Sequence, residues 1–134
     1  MKPDVQQSSA TFETTVTNEM TAVLDGNPIH PVYSTFWLSH HAEVAARRAI
    51  EPYFENDENA VGGELFIHHE SMCAVGDTVR IVATVTKVHG RKIVCSIEAF
   101  SSSRQIATGH QTQIVLSNNT IASLVDEAYS LLPK

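Results

Sequence analysis

The sequence is poor in cysteine and has no long apolar segment. Its two cysteines, Cys73 and Cys95, are far apart and form no CxxC motif. The first residues are polar and lack the apolar core of a signal peptide, so we expect reduced, mostly buried thiols. No apolar run approaches the roughly 20 residues of a membrane-spanning helix. These absences argue against a disulfide scaffold and a membrane protein, and they favour a cytoplasmic location.

Basic residues are also scarce. Nine Lys and Arg face 15 Asp and Glu, which gives a formal net charge of -6. Nucleic-acid binding depends on Lys and Arg that neutralise phosphates, and no basic tail offsets the deficit, so we predict no nucleic-acid partner. The 134 residues fit a single domain over 1–134, with a loose tail over about 1–9. A Rossmann enzyme or a TIM barrel, at roughly 200 or more residues, does not fit.

Histidine is unusually frequent, with seven copies that include the pairs His40-His41 and His68-His69. Adjacent residues point to opposite faces of a strand and diverge by about a third of a turn on a helix. Neither pair can therefore hold one ion alone, although one histidine from each pair could still meet at a metal. Because HExxH and paired CxxC motifs are absent, we predict no metal site.

Hydrophobic periodicity predicts a strand, a long helix and then four strands. Alternation in TFETTVTNEMTAVL predicts the opening strand, and the glycine and prolines of 25–34 predict a loop. Helical spacing of apolar residues predicts a helix from about Thr35 to Phe54, ended by Pro52, with Ser34 or Thr35 as N-cap. A charged loop, ENDENAVGG, precedes three extended segments. A last strand near 105–116 leads to a short amphipathic C-terminal helix.

This order of elements predicts an α+β fold of the hotdog type, in which an antiparallel sheet wraps around one central helix. The alanine-rich helix is the only large element available to cover a face of the sheet. One helix leaves the edges of the sheet exposed. We therefore expect two chains to pair into a continuous sheet, as a homodimer.

Glu43 lies in the middle of the predicted helix, in SHHAEVAARRAI, with apolar residues on its own face. A carboxylate there is costly unless it is used or paired. A surface ion pair with Arg47 at i,i+4 is one interpretation. The other is a general base or nucleophile, because the central helix of such a fold would expose few of its faces to water.

Three further positions could belong to a site. His69 shares a strand face with Leu65 and Ile67, which favours a histidine at the edge of the core. Thr35 begins the helix, where a threonine is either an N-cap or part of an oxyanion site. Gly62 and Gly63 precede the strand, either as a plain turn or where a backbone approaches a ligand closely.

These same residues carry a resemblance over Ser34 to Asn118. The matching residues and segments are Thr35, AEVAARRAIEPYF with Glu43, VGGELFIHH with Gly62 and His69, and AVGDTVRIVATVTKVHGRKIVCSIEAF. In them the chain resembles the hotdog-fold acyl-CoA thioesterases, most of all the fluoroacetyl-CoA thioesterases. The spacings agree without gaps across 35–82. The resemblance implies a catalytic triad of Thr35, Glu43 and His69, with Gly62 near the thioester carbonyl.

One departure from the family concerns the acyl group. Gln113 stands where the resembled enzymes have an arginine, and Phe36, Trp37 and His40 are bulky near the start of the helix. We expect Phe36 and His40 to contact the substrate. Selectivity for fluoroacetyl groups is therefore not expected to carry over, whereas thioester hydrolysis is.

Coenzyme A carries phosphates, so an acidic protein needs a local basic patch to hold it. KVHGRK, which contains Arg91 and Lys92, is the densest such patch, and a solvated turn is the alternative. The predicted function is hydrolysis of a small or short acyl-CoA, with coenzyme A as part of the substrate and no other cofactor. A non-catalytic hotdog module that binds an acyl-CoA or related ligand is the alternative. A dehydratase would need a differently placed Asp/His pair.

Overall fold

The chain folds into seven strands and two α-helices, as a computed structural model of residues 1–134 shows. In chain order these elements are β1 (Ser9–Thr15), β2 (Thr21–Leu24), β3 (Asn27–Tyr33), α1 (Thr35–Ile50), β4 (Glu58–His69), β5 (Thr78–His89), β6 (Lys92–Phe100), β7 (Gln105–Ser117) and α2 (Asn118–Ser130). Short 3-10 turns cover Pro3–Val5, Asn18–Met20 and Glu51–Tyr53.

The main sheet is antiparallel and has the spatial order β1-β5-β6-β7-β4. It packs one face against α1, whose alanines at 42, 45 and 46 are fully buried and let the strands approach closely. Isoleucines and valines of β5 and β6 that alternate with exposed or half-buried positions fill the space beneath the helix. The predicted α+β hotdog arrangement, with a central helix and a short C-terminal helix, is confirmed.

The segment predicted as a loop over 25–34 is instead mostly strand. β2 and β3 pair as a separate two-stranded hairpin around Asp25 and Gly26, whose φ angles of 51° and 75° suit a tight hairpin turn. Pro28 and Pro31 fit in β3 because a two-stranded hairpin leaves outward positions that need no ladder hydrogen bond. The prediction failed because the prolines exclude a central strand but not an edge strand.

Three predicted boundaries also differ. The loose tail is packed, since Pro3–Val5 forms a 3-10 turn and Val5 is buried. The helix ends at Ile50, and Pro52 lies in the 3-10 turn that follows. The charged loop ENDENAVGG is strand from Glu58 onward, because pairing with β7 overrides the weak strand propensity of its polar and glycine residues.

β4 is an edge strand, and it is open on its outer side. The six consecutive residues from Val61 to Phe66 are all exposed, including the large apolar side chains of Val61, Leu65 and Phe66. α2 contacts mainly β7 and buries none of its residues. Neither helix has both the length and the apolar composition that a membrane span requires.

Candidate active site

Thr35 and His69 meet at the N-terminus of α1. Ser34 caps the helix, because its hydroxyl accepts a hydrogen bond from the Trp37 amide at 3.0 Å. Thr35, the first helical residue, is thereby free for a tertiary contact, and its Oγ1 is hydrogen-bonded to His69 Nδ1 at 2.9 Å. Of the two interpretations of Thr35, the N-cap is therefore excluded.

His69 lies at the end of β4 and is half-buried. Burial lowers the pKa of its imidazole below the usual value, and the backbone of Ser71 partly opposes this shift. Its Nε2 is buried and has no hydrogen-bond partner. The ring is therefore mainly neutral at neutral pH, with one nitrogen fixed by Thr35 and the other free for proton transfer.

A cavity of about 260 Å³ lies beside this pair. Thr35 and His69 form one wall, and the hairpin contributes His30 and Val32. Met72, which follows β4, lines it as well. The cavity opens at the helix N-terminus, where free backbone N–H groups and the helix dipole favour a developing negative charge.

Glu43 lies two turns further along α1 and does not form the ion pair with Arg47. Arg47 instead donates through Nε to Glu51 Oε2 at 2.9 Å and through Nη2 to Asn59 Oδ1 at 2.6 Å. Its guanidinium also lies over the Phe54 ring, 5.1 Å from the centroid. The surface-pair interpretation of Glu43 was wrong, since Arg47 pairs with Glu51 and Glu43 forms no ion pair.

Gly62 leaves the space that the Glu43 side chain uses. A Cβ placed on Gly62 would lie 3.3 Å from Glu43 Oε2 and 3.7 Å from Gln111 Nε2. A Cβ on Gly63 would meet Ile114 at 3.4 Å, and neither glycine has a positive φ. Both glycines lie within β4 rather than in a turn, and only at Gly62 does a neighbouring side chain, that of Glu43, come closer than an ordinary contact. Glu43, Gln111 and both glycines line an open depression of about 380 Å³.

The predicted catalytic residues come together as two separate pairs within one chain. Thr35 contacts His69, and Glu43 lies beside Gly62. Eight residues of helix separate Thr35 from Glu43, a rise of about 12 Å. The two pairs line different cavities. Glu43 is also exposed, so a single chain does not provide the desolvation that the sequence led us to expect.

Phe36 and His40 lie on the same exposed stripe of α1 as Glu43. Phe36 is 71% exposed, which is high for a large aromatic side chain. His40 meets the half-buried Trp37 edge to face, with ring centroids 5.6 Å apart, and shares a shallow cleft with Glu43. In one chain these residues face outward and enclose no acyl pocket.

Two glutamines on β7 also belong to this region, and sequence reasoning singled out only one of them. Gln111 and Gln113 are 2% and 4% exposed. Their strand partners on β6 are the core residues Cys95 and Ile93, so both amides face α1. The available signal was their alternation in phase with the apolar Val115, which predicts a buried polar face.

The basic hairpin between β5 and β6 borders a groove of about 610 Å³ on the outer face of the sheet. Lys92 lies in this groove, with Nζ 3.4 Å from Glu64 Oε1, and Lys87 and His89 line it as well. Arg91 points elsewhere and donates through Nη1 to the Val115 carbonyl at 3.3 Å. The groove therefore holds two lysines, only one of which the sequence singled out.

The remaining histidines do not gather. His41 is buried, its Nδ1 lies 2.6 Å from the Tyr33 hydroxyl, and burial lowers its pKa to about 4. His68 is exposed on the opposite side of β4 from His69. No group of three or more His, Cys, Asp or Glu side chains is placed to hold a metal ion.

The fold is that of a thioesterase-type hotdog protein. A hypothetical protein of Thermus thermophilus, a thioesterase superfamily member, superposes with a TM-score of 0.93 and 32% identity over 97% of this chain and 96% of its own. A structure of the fluoroacetyl-CoA thioesterase FlK shares the fold, with a TM-score of 0.83 and 21% identity over 96% of this chain and 97% of its own.

Sequence comparison narrows the class to one family. Residues 16–119 match the fluoroacetyl-CoA-specific thioesterases, and the chain belongs to this family of thioester hydrolases. The fluoroacetyl-CoA thioesterase of Streptantibioticus cattleyicolor is 27% identical over 85 residues, which cover 63% of this chain and 61% of that protein.

Proposed function

We propose that this protein hydrolyses the thioester of a small or short acyl-CoA through Thr35, Glu43 and His69. The observation that carries the proposal is the hydrogen bond of 2.9 Å between Thr35 Oγ1 and His69 Nδ1, beside a His69 Nε2 that has no partner. Glu43, which Arg47 leaves unpaired, supplies the carboxylate. The resemblance in sequence and the family membership support the same activity.

The proposed reaction adds water across the thioester. The carbonyl lies beside Gly62, where no side chain intervenes, and backbone N–H groups stabilise the oxyanion. Glu43 either takes a proton from the water that attacks the carbonyl carbon, or attacks that carbon itself and forms an anhydride that water then hydrolyses. When the C–S bond breaks, His69 passes a proton to the thiolate of coenzyme A, and the proton that the attacking water loses replaces it. Thr35 orients His69, and the products are the free acid and the thiol.

A second copy of the chain completes the proposed site. The exposed edge of β4 can pair with the same strand of a partner, which covers Val61 to Phe66 and closes the sheet. An antiparallel pairing centred between Leu65 and Phe66 sets Gly62 opposite the partner's His69. Glu43 of one protomer and the partner's His69 then face one substrate, and Glu43 becomes shielded from water.

Co-expression of two inactive variants tests this composite site. If Glu43→Gln and His69→Gln chains form mixed dimers, one site of each mixed dimer carries both lesions and the other carries neither. About a quarter of the wild-type activity should return in a random mixture. Sites built within single chains would give no recovery. Light scattering gives the oligomeric state, and Leu65→Lys, which places a charge on the strand edge, should yield monomers.

The activity itself is tested by thiol release from a panel of acetyl, branched, aromatic and long-chain CoA esters. We expect small acyl groups to be cleaved, and Glu43→Gln to lower kcat/KM by at least about 100-fold. Glu55→Gln is the matched control, because Glu55 is an exposed carboxylate outside the site. Binding of esters without thiol release from any of them would instead establish the non-catalytic module.

Coenzyme A phosphates are proposed to bind at the hairpin of Arg91 and Lys92. The outer groove that Lys92 shares with Lys87 offers two ammonium groups for them. Replacing Arg91 and Lys92 with alanine should raise KM and reduce its salt sensitivity, with little change in kcat. Because Arg91 already binds the Val115 carbonyl, we expect the Lys92 substitution to account for most of the change. An unaltered KM would exclude the hairpin.

A further inference from the structure

Three buried polar side-chain atoms lack a hydrogen-bond partner, one on His69 of the proposed site and two on β7. They are Nε2 of His69, Oε1 of Gln111 and Nε2 of Gln113. Buried polar groups in folded proteins are nearly always paired, so each unpaired one needs an explanation. His69 Nε2 is explained by the proposed proton transfer. The two glutamine atoms have no role in that chemistry.

The two amides lie side by side on the helix-facing side of β7. Gln111 is the strand partner of Leu65, and Gln113 is the strand partner of Gly62. Gln111 also lines the open depression next to Glu43, with its Nε2 directed towards Gly62. Because Gly62 has no side chain, no β4 side chain lies directly opposite Gln113 in the strand pair. The amides therefore flank the place where the thioester carbonyl is proposed to lie.

We infer that Gln111 and Gln113 select an acyl group that carries a hydroxyl, an inference that rests on the proposed hydrolysis. A hydroxyl donates one hydrogen bond and accepts others, which matches one unpaired amide acceptor and one unpaired amide donor. The last side-chain torsion of glutamine is broad and roughly two-fold, so each amide can turn its unpaired atom towards a ligand. A plain hydrocarbon would leave both atoms unsatisfied.

Charge in the depression favours a neutral acyl group. No Lys or Arg lines it, whereas Glu43 and Glu64 both do. Glu64 is paired with Lys92, but the Glu43 carboxylate has no ion-pair partner, so an acyl chain that ends in a carboxylate would meet an uncompensated like charge, which disfavours binding. The substrate class indicated is a small, uncharged hydroxyacyl-CoA rather than a simple acyl or a dicarboxylic acyl thioester.

Matched esters test this specificity directly. In the wild-type protein, kcat/KM for 3-hydroxybutyryl-CoA should exceed that for butyryl-CoA by at least about tenfold, and succinyl-CoA should be poorest. Gln113→Met and Gln111→Met keep the side-chain length but remove the amide, so the ratio should fall towards one. Gln105→Met, at an exposed glutamine of the same strand, should leave the ratio unchanged.

The outcomes separate this inference from the proposed hydrolysis. Equal cleavage of both four-carbon esters by the wild-type protein, or a ratio that neither methionine variant changes, overturns the hydroxyl selection while hydrolysis stands. If the methionine variants shift the dimer equilibrium but leave the ratio of kcat/KM values unchanged, the amides bind the partner subunit rather than the substrate. That result would also overturn the hydroxyl selection. If no ester is cleaved, hydrolysis fails, and calorimetric binding of the same ester pair to the same variants decides the selection.

Discussion

His41 and His69 have the same immediate partner chemistry and different surroundings. In each ring Nδ1 meets a hydroxyl, that of Tyr33 at 2.6 Å for His41 and that of Thr35 at 2.9 Å for His69. Burial lowers the pKa of both. His41, however, is 5% exposed and stacked on Phe12 with ring centroids 4.5 Å apart, whereas His69 borders a cavity and has an unpaired Nε2.

The comparison shows that a hydroxyl on Nδ1 does not by itself mark a functional histidine. Burial against the rings of Phe12, Tyr33 and Trp37 fixes His41 as part of the core. His69 differs in having a buried Nε2 without a partner and a cavity beside the ring. We therefore expect substitutions of His41 to affect stability and substitutions of His69 to affect turnover.

The largest expected effect is on turnover in His69→Gln. Removing a positioned proton-transfer group should lower kcat/KM for a cleaved CoA ester by about 100- to 10,000-fold. His68→Gln is the matched control, because His68 is adjacent in sequence but exposed on the other face of β4. Thiol-release kinetics and thermal unfolding of both variants give the measurement. Comparable losses in the two variants would contradict the role of His69.

His41→Ala should act on stability instead. It removes a buried ring stacked on Phe12 and leaves the Tyr33 hydroxyl without its partner. We expect a loss of roughly 2–4 kcal/mol in the free energy of unfolding, as for other large buried side chains. Urea denaturation measures it, with the exposed His40→Ala as control. Activity per folded molecule should stay within a few-fold of wild type, and a selective loss of turnover would remove the distinction.

The lowered pKa of His41 also predicts how stability depends on pH. The folded value of about 4 lies below the usual 6.5 of an unfolded chain, so the unfolded state binds more protons between these values. The free energy of unfolding should therefore fall as pH drops from 6.5 towards 4, by at most about 1.4 kcal/mol per pH unit for this residue. Urea titrations of wild type and His41→Phe should differ in that slope. Equal slopes would assign the titration to other groups.

The fold was predictable from sequence because local patterns and global packing agree. Helical spacing around Ala42 and Ala45, and strand alternation after Gly76, each point to the observed layers. The hairpin of β2 and β3 was missed because Pro28 and Pro31 obscure a strand whose pairing is supplied by tertiary context. The start of β4 was missed because its polar residues form a strand only through pairing with β7.

The sequence nominates residues for the candidate site but does not predict how they are arranged. The resemblance selected Thr35, Glu43 and His69, yet spacing along a chain does not tell whether a helix residue faces its own sheet or a second subunit. Arg47 pairs with Glu51, four residues later, instead of with Glu43, and its bond to Asn59 forms only when β4 packs beside the helix. Placing the buried amides of Gln111 and Gln113 required the pairing register of β7 with its neighbouring strands, which the sequence does not give.

Thr35→Val gives the smallest expected effect and the finest test of the comparison. It keeps the shape of the side chain and removes the hydroxyl from His69 Nδ1, so kcat/KM should fall about tenfold, as expected for one lost hydrogen bond. Thr35→Ser should restore the activity, since it returns the hydroxyl. The counterpart, Tyr33→Phe, removes the same kind of partner from His41 and should lower only the free energy of unfolding, by about 1 kcal/mol. If the hydroxyl supports catalysis at His69 and only stability at His41, the difference between the two histidines comes from the surroundings of each ring, because both have a hydroxyl oxygen on Nδ1.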